Sequence, residues 1–404
     1  MKTNATSRIA SIDIMRGLTI FLMLFVNDLY EPGVPHWLVH AGVYENSIGL
    51  ADLVFPGFLF MVGLSVPFAI TSRRRSKTDL QILRHIIWRT VSLILISVLI
   101  LNGSERLNPV LTGTPKLVWL FLLYTAIFLI WNDYTGFFRC RLGRTLSLSV
   151  ILKGTGVLLL IFLVWRFKSG TGDQPTWLTH GWWGILGLIG WGYLAAALAY
   201  LYGGRKIIYG VLFWLLALIL NIANLSGWLD ALHNSRFTEL LDVWLGGNVP
   251  LMTLAGLVVG MILQRRLFSP AFFVKIIFVL GTLCLAAGFI LRHWFTFSKI
   301  IGTPSWAMVC NGASMLCFAG LYYLIDIRRF DRWAYAFRLA GRNALTTYLA
   351  PDMIYFMIWY FGWPVLIYKQ DGAVWWAIGG SALWAALMIL YAQLLSKISI
   401  RLKL

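Results

Sequence analysis

Asp13, Arg16, Asn27, Asp28 and Asp52 stand in or at the ends of two segments that otherwise read as apolar spans, and His40 stands in the polar stretch between them. An ionisable group at membrane depth costs several kcal/mol unless it faces a protein interior or a wet cavity, so each is a candidate site residue. A histidine at a water-exposed boundary can take and return a proton near neutral pH. Asp13 and Arg16, spaced i, i+3, can form an ion pair near the start of the first span, and the plain role of that pair is to fix helix packing. Alternatively Arg16, together with Arg342 and the cluster Arg73, Arg74, Arg75 and Lys77, grips a phosphate-bearing ligand, because guanidinium groups match phosphate oxygens in bidentate fashion. Asp52 opens the second span, where a carboxylate caps free backbone N–H groups and complements the helix dipole. Its second possible role is to orient His40 or to bind an amine.

These residues must be positioned by membrane helices. In a chain of 404 residues, 59% are hydrophobic and only 12% charged, more apolar surface than one aqueous core can hide. Runs of about 20 apolar residues recur from end to end, each long enough to cross the hydrocarbon layer as a helix. The expected spans are 12–30, 52–71, 82–102, 116–132, 146–166, 182–202, 207–225, 248–264, 271–291, 304–325, 340–361 and 373–395. The fold class is therefore all-α, a polytopic integral membrane helix bundle of about twelve transmembrane helices. No long soluble block or linker divides it, and residues 1–404 read as a single transmembrane domain. The first apolar run lacks a small-residue cleavage site ahead of it and reads as a retained helix.

The formal charge of +18 follows topology, not one patch. Arg139, Arg141, Arg144, Arg205, Lys206, Arg265, Arg266, Arg328, Arg329 and Arg332 join Arg73–Lys77 in alternate loops. By the positive-inside rule these loops, and both termini, are cytoplasmic. That pattern argues against a nucleic-acid partner and for contact with lipid headgroups. The 20 Trp cluster near span ends, as interfacial anchors do. Cys140, Cys284, Cys310 and Cys317 form no CxxC pair, so neither a disulfide nor a metal is indicated. Of the 6 histidines, His36, His40, His180, His233 and His293 fall in segments opposite the basic loops. His36 and His40 have the i, i+4 spacing of a metal chelate, but no third ligand stands at a recognisable offset.

The pattern R-x-x-S-x-D-x-x-R-G from Arg8 to Gly17, then Asn27, then W-L-x-H ending at His40, then D-L-V-F-P-x-F-L-F-x-V-G from Asp52 to Gly63, resembles the heparan-α-glucosaminide N-acetyltransferase family. The likeness resurfaces at Lys299 and Ser305, and at Gly341, Asn343 and Tyr348. The resemblance implies a core of about ten helices, which spans 182–202 and 207–225 would extend by a pair. It also implies transfer of an acetyl group from cytoplasmic acetyl-CoA to the amine of a terminal glucosamine across a bacterial-type inner membrane. His40 matches the catalytic histidine and Asn27 the asparagine beside it. Pro351 and Asp352 replace a His-Glu pair found in some members.

Residue chemistry fits that implication. A neutral imidazole can accept the proton of the attacking amine, or take the acetyl group itself. Amides of Asn27 or Asn343 can donate to the thioester oxygen as it becomes negative, although each asparagine can equally serve as interhelical glue. Asp52, Lys299 and Asn343 are candidates for holding the acceptor, and Asp13, Arg16 and Arg342 for holding the donor. Solvated anchoring is the alternative for Lys299. The rival reading is a secondary transporter for amino sugars, with Asp13, Asp28, Asp52 and Asp352 binding protons or sodium; it predicts repeat-related broken helices, and no internal repeat is visible. A scaffold or lipid-binding role is a third reading, and homo-oligomerisation stays open.

Overall fold

A computed structural model describes residues 9–136, 145–232, 236–365, 367, 369 and 372–404. Arg8, Arg139, Cys140, Arg141, Arg144 and His233 lie outside the described residues. Helices stand at every expected span. They are α1 (Ala10–Asn27), α2 (Leu50–Arg73), α3 (Asp79–Leu101), α4 (Lys116–Trp131), α5 (Thr145–Arg166), α6 (Gly184–Tyr202), α7 (Ile207–Leu225), α8 (Asn248–Arg265), α9 (Pro270–Leu291), α10 (Pro304–Tyr322), α11 (Ala344–Phe361) and α12 (Val374–Lys397). Among the described residues 10 helices are long and apolar enough to cross a membrane. The other two are α4, with 16 residues, and α11, which carries Thr346, Thr347, Pro351 and Asp352. The chain is a multi-pass helical membrane protein.

Packing divides the chain into two compact units. One comprises Met1–Ile87, Trp191–Arg342 and Lys369–Ala385, and the other Trp88–Gly190, Asn343–Tyr368 and Ala386–Leu404.

In the first unit, α2 packs on α8, α9 on α10, and α1 on the short helix Tyr335–Arg342. Lipid tails are as apolar as leucine, so such contacts depend on close backbone approach and van der Waals fit. The α2–α8 crossing shows this directly: a Cβ on Gly256 would lie 1.9 Å from the carbonyl oxygen of Phe60. The N-terminus of α1 has no cap from its own side chains. Its free N–H groups go instead to Asp326, whose carboxylate accepts from Ala10 at 3.2 Å and Ser11 at 3.0 Å. Asp326 lies in a π-helical turn, Tyr323–Ile327, that continues α10. A distant carboxylate thus both caps α1 and complements its dipole.

In the second unit, Tyr124 on α4 donates its hydroxyl hydrogen to Asp352 on α11. This bond satisfies a carboxylate that the apolar pattern of α11 would otherwise leave exposed to hydrocarbon.

Replacing Gly256 by Ala is expected to cost about 1–3 kcal/mol, because the methyl group meets backbone that cannot rotate away. Gly320, also helical, has nothing within 4 Å of its would-be Cβ. Thermal unfolding in detergent should show a lower Tm for Gly256→Ala and no loss for Gly320→Ala.

Candidate functional site

The first unit carries polar machinery at both ends of α1 and α2. At one end stand His40, Asp52 and Lys299. Asp52 is the third residue of α2, and its Oδ2 reaches back to accept the Gly49 N–H at 3.1 Å. Gly49 must be glycine, since a Cβ there would lie 1.8 Å from the Val39 carbonyl oxygen. The same Oδ2 accepts the Ala41 N–H at 3.0 Å, and Oδ1 lies 2.7 Å from His40 Nδ1. Asp52 is 1% exposed. A carboxylate so buried is tolerable only with its acceptor sites filled, as they are here. Its capping role and its histidine-orienting role are therefore one arrangement.

An ionised carboxylate can only accept, so His40 Nδ1 carries the hydrogen, and in the neutral ring the lone pair is on Nε2. The ring side chain is 42% exposed. Lys299, in the loop between α9 and α10, brings its Nζ to 3.4 Å from Nε2, 3.1 Å from Nδ1 and 3.9 Å from Asp52 Oδ1. With the Nδ1 hydrogen committed to Asp52, the lysine faces Nε2 and the Asp52 carboxylate and can donate to a bound oxygen. Burial pushes the Lys299 ammonium below its ordinary value, and the Asp52 charge opposes the shift. His36 does not join His40. The 3₁₀ turn His36–Leu38 ends before a helical face forms, and His36 Nε2 turns to Glu45 at 3.3 Å. The chelating spacing is thus not realised.

At the other end of the unit Asp13 sits between two guanidinium groups, 3.7 Å from Arg16 and 3.5 Å from Arg342. Arg16 also donates to the Gly341 carbonyl at 3.1 Å and to Ser65 Oγ. Asp13, Arg16 and Ser65 border a cavity of about 1370 Å³. Arg16, Arg75, Arg266, Arg329 and Arg338 line it against Asp13, Asp326 and Asp331, leaving an excess of positive charge. Arg342 is not among its lining residues, and of the Arg73–Lys77 run only Arg75 is. Arg74 is spent on Asp79, at 2.7 and 3.0 Å. On α2 the cavity runs no further than Ser65. Asp52 lies thirteen residues away, about 20 Å along the helix axis. The intervening turns carry the fully buried Leu59, Phe60, Met61 and Leu64.

Two expected members remain. Asn27, the last residue of α1, is exposed and, among the described residues, has no hydrogen bond to the His40 ring. Asn343 belongs to the second unit, where its carbonyl accepts the Thr347 N–H at 3.0 Å and the Thr347 hydroxyl at 3.1 Å. Sequence reading did not single out Ser65, Arg338 or Asp326. An acidic residue just ahead of a basic loop was the only visible signal for Asp326.

Removing the Asp52 charge should lower the Lys299 pKa further, since that charge is what supports the ammonium. The pH midpoint for modification of Lys299 by an amine-reactive reagent, read by mass spectrometry, should therefore fall in Asp52→Asn. An unchanged midpoint would contradict the ion pair.

Over 109 residues the chain is 37% identical to mouse heparan-alpha-glucosaminide N-acetyltransferase, covering 27% of this chain and 16% of that protein. Over 103 residues it is 38% identical to the human protein of the same name, covering 25% of this chain and 15% of the relative. The match thus spans about a sixth of the length of these relatives. A family model described as "Domain of unknown function (DUF5009)" matches residues 8–245. That range is more than half of the chain, so the protein belongs to the DUF5009 family and, in its matching quarter, is heparan-alpha-glucosaminide N-acetyltransferase-like.

Proposed function

We propose that this protein is a membrane acetyltransferase that moves an acetyl group from acetyl-CoA to the amine of a glucosamine-like acceptor, with His40 as its acid–base group. The observation that carries the reading is the 2.7 Å contact between His40 Nδ1 and the buried Asp52 carboxylate, which makes Nε2 the basic nitrogen of the neutral ring. The names of the mouse and human relatives supply the reaction class. Arg16, paired with Asp13, and the other arginines around the 1370 Å³ cavity suit the phosphates of a CoA donor. By the charge asymmetry of the loops this end, and both termini, face the cytoplasm of a bacterial-type inner membrane, within one transmembrane domain. His40, Asp52 and Lys299 then face the acceptor side.

In the reaction the acceptor amine attacks the thioester carbonyl carbon while Nε2 takes the amine proton. The C–S bond breaks, and the imidazolium returns its proton to the leaving thiolate. Asp52 stabilises the imidazolium in between. Lys299, as an ammonium, donates to the carbonyl oxygen as it gains charge. If the ring takes the acetyl group first, the same Nε2 is the nucleophile. Binding the donor between α1 and α2 requires its acyl end to bridge the turns that separate the cavity from His40.

Proteoliposomes loaded with labelled acetyl-CoA and bathed in glucosamine test this. Wild type should yield labelled N-acetylglucosamine, and His40→Ala should lower the rate by roughly a hundredfold to ten-thousandfold. Uptake of intact sugar independent of CoA would favour transport and end the enzyme reading.

Lys299 must be charged to donate, and burial lowers its pKa, so the rate should fall on the alkaline side with a midpoint below the ordinary lysine value of 10.5. Lys299→Arg should move that limb to higher pH, because a guanidinium does not titrate in the range. An alkaline limb that stays in place would contradict the role.

A further inference from the structure

The loop that carries His40 and the loop that carries Lys299 are joined at Asn46. Its Oδ1 accepts the Phe297 N–H at 2.9 Å and the Arg292 Nε–H at 3.1 Å, and its carbonyl oxygen accepts from Arg292 Nη2 at 3.0 Å. The Arg292 guanidinium lies 4.9 Å from the centre of the Phe297 ring, so it is held by its edge and by its face. Phe297 itself is buried and packs edge-on against Phe289.

Both loops are stiff on either side of this junction. Beyond Phe297, the N–H groups of Gly302 and Thr303 converge on the Ser298 carbonyl at 3.0 and 3.1 Å, and the Ser298 N–H goes to Thr303 Oγ1 at 3.1 Å. Lys299 rides on that closed turn and must follow any displacement of Phe297. On the other side, Ala41 and Gly49 both donate to Asp52, so the segment bearing Asn46 is pinned at each end to the carboxylate that holds the imidazole. The bonds of Asn46 to Arg292 are exposed to solvent. Losing them leaves the packing of α2, α8, α9 and α10 in place and releases only the register of one loop on the other.

We propose that Asn46, gripped by Arg292 and the Phe297 N–H, is a positioning residue that sets the separation between the His40 imidazole and the Lys299 ammonium. The role rests on His40 being the acid–base group of an acetyltransferase. An ångström of misplacement between a base and a charge donor lowers turnover without weakening a donor bound elsewhere.

Acetyl transfer in proteoliposomes by wild type, His40→Ala, Asn46→Ala, Asn46→Asp, Arg292→Ala and the double variant Asn46→Ala/Arg292→Ala tests it. Asn46→Ala should lower kcat about tenfold with KM for acetyl-CoA unchanged. Asn46→Asp should keep kcat near wild type, because a carboxylate accepts the same two N–H groups. The double variant should be no slower than the slower single variant, as for residues that act through one contact. A readout free of turnover accompanies these. The pH midpoint for amine modification of Lys299 should rise in Asn46→Ala, as the released loop meets more water, and should stay in place in Asn46→Asp. An active wild type matched by Asn46→Ala in both kcat and midpoint, or losses that multiply in the double variant, would overturn the positioning role alone. A wild type no faster than His40→Ala would overturn the acetyltransferase reading, and the role of Asn46 in it as well.

Discussion

A carboxylate sealed at the mouth of a membrane helix governs the geometry around it. Asp52 accepts from Gly49, Ala41 and His40 and has Lys299 within 3.9 Å. Each donor is needed, because burying an ionised carboxylate without partners costs far more than one hydrogen bond returns. The consequence spreads outward. The backbone between Ala41 and Gly49 must fold back on α2, Gly49 must lack a side chain, and the imidazole must present Nδ1 inward and Nε2 outward. The orientation of the imidazole thus follows from how α2 begins.

The opposite end of the same unit is built on a different balance. There Asp13 and Asp326 are each shared among several donors, and the guanidinium groups exceed the carboxylates around a broad cavity. One end presents an imidazole on a buried carboxylate and the other an excess of guanidinium groups. The packed turns of α2 between them, about 20 Å at the rise of an α-helix, are what a donor must span for the two ends to serve one reaction. This separation explains why polar residues crowd both termini of α1 and leave its middle apolar.

Hydropathy and length made the helices legible, and the shared range of each expected span with an observed helix reflects how few structures satisfy backbone groups in hydrocarbon. His40, Asp52 and Lys299 were singled out in the sequence, and the structure brings them together. Their mutual arrangement was not legible, because the residues from Ala41 to Gly49 form no periodic element and Lys299 arrives from 259 positions away. The donors around the cavity were harder still. Arg266, Arg329 and Arg338 look like ordinary basic loop residues, and only the fold gathers them with Arg16 and Arg75. Asn27 and Asn343 were read from the family resemblance and from amide chemistry, neither of which says which way a side chain faces. Asn46 carried no signal, being a polar residue in a polar loop whose partner Arg292 stands 246 positions away.

The central claim is that Asp52 fixes the tautomer of His40, and nitrogen-15 NMR of histidine-labelled protein in lipid nanodiscs tests it most directly. The account predicts a neutral His40 ring protonated at Nδ1 and bare at Nε2, with the Nδ1 proton shifted far downfield in wild type and lost from that position in Asp52→Asn. A ring protonated at Nε2, or one whose signals are indifferent to Asp52, would contradict it.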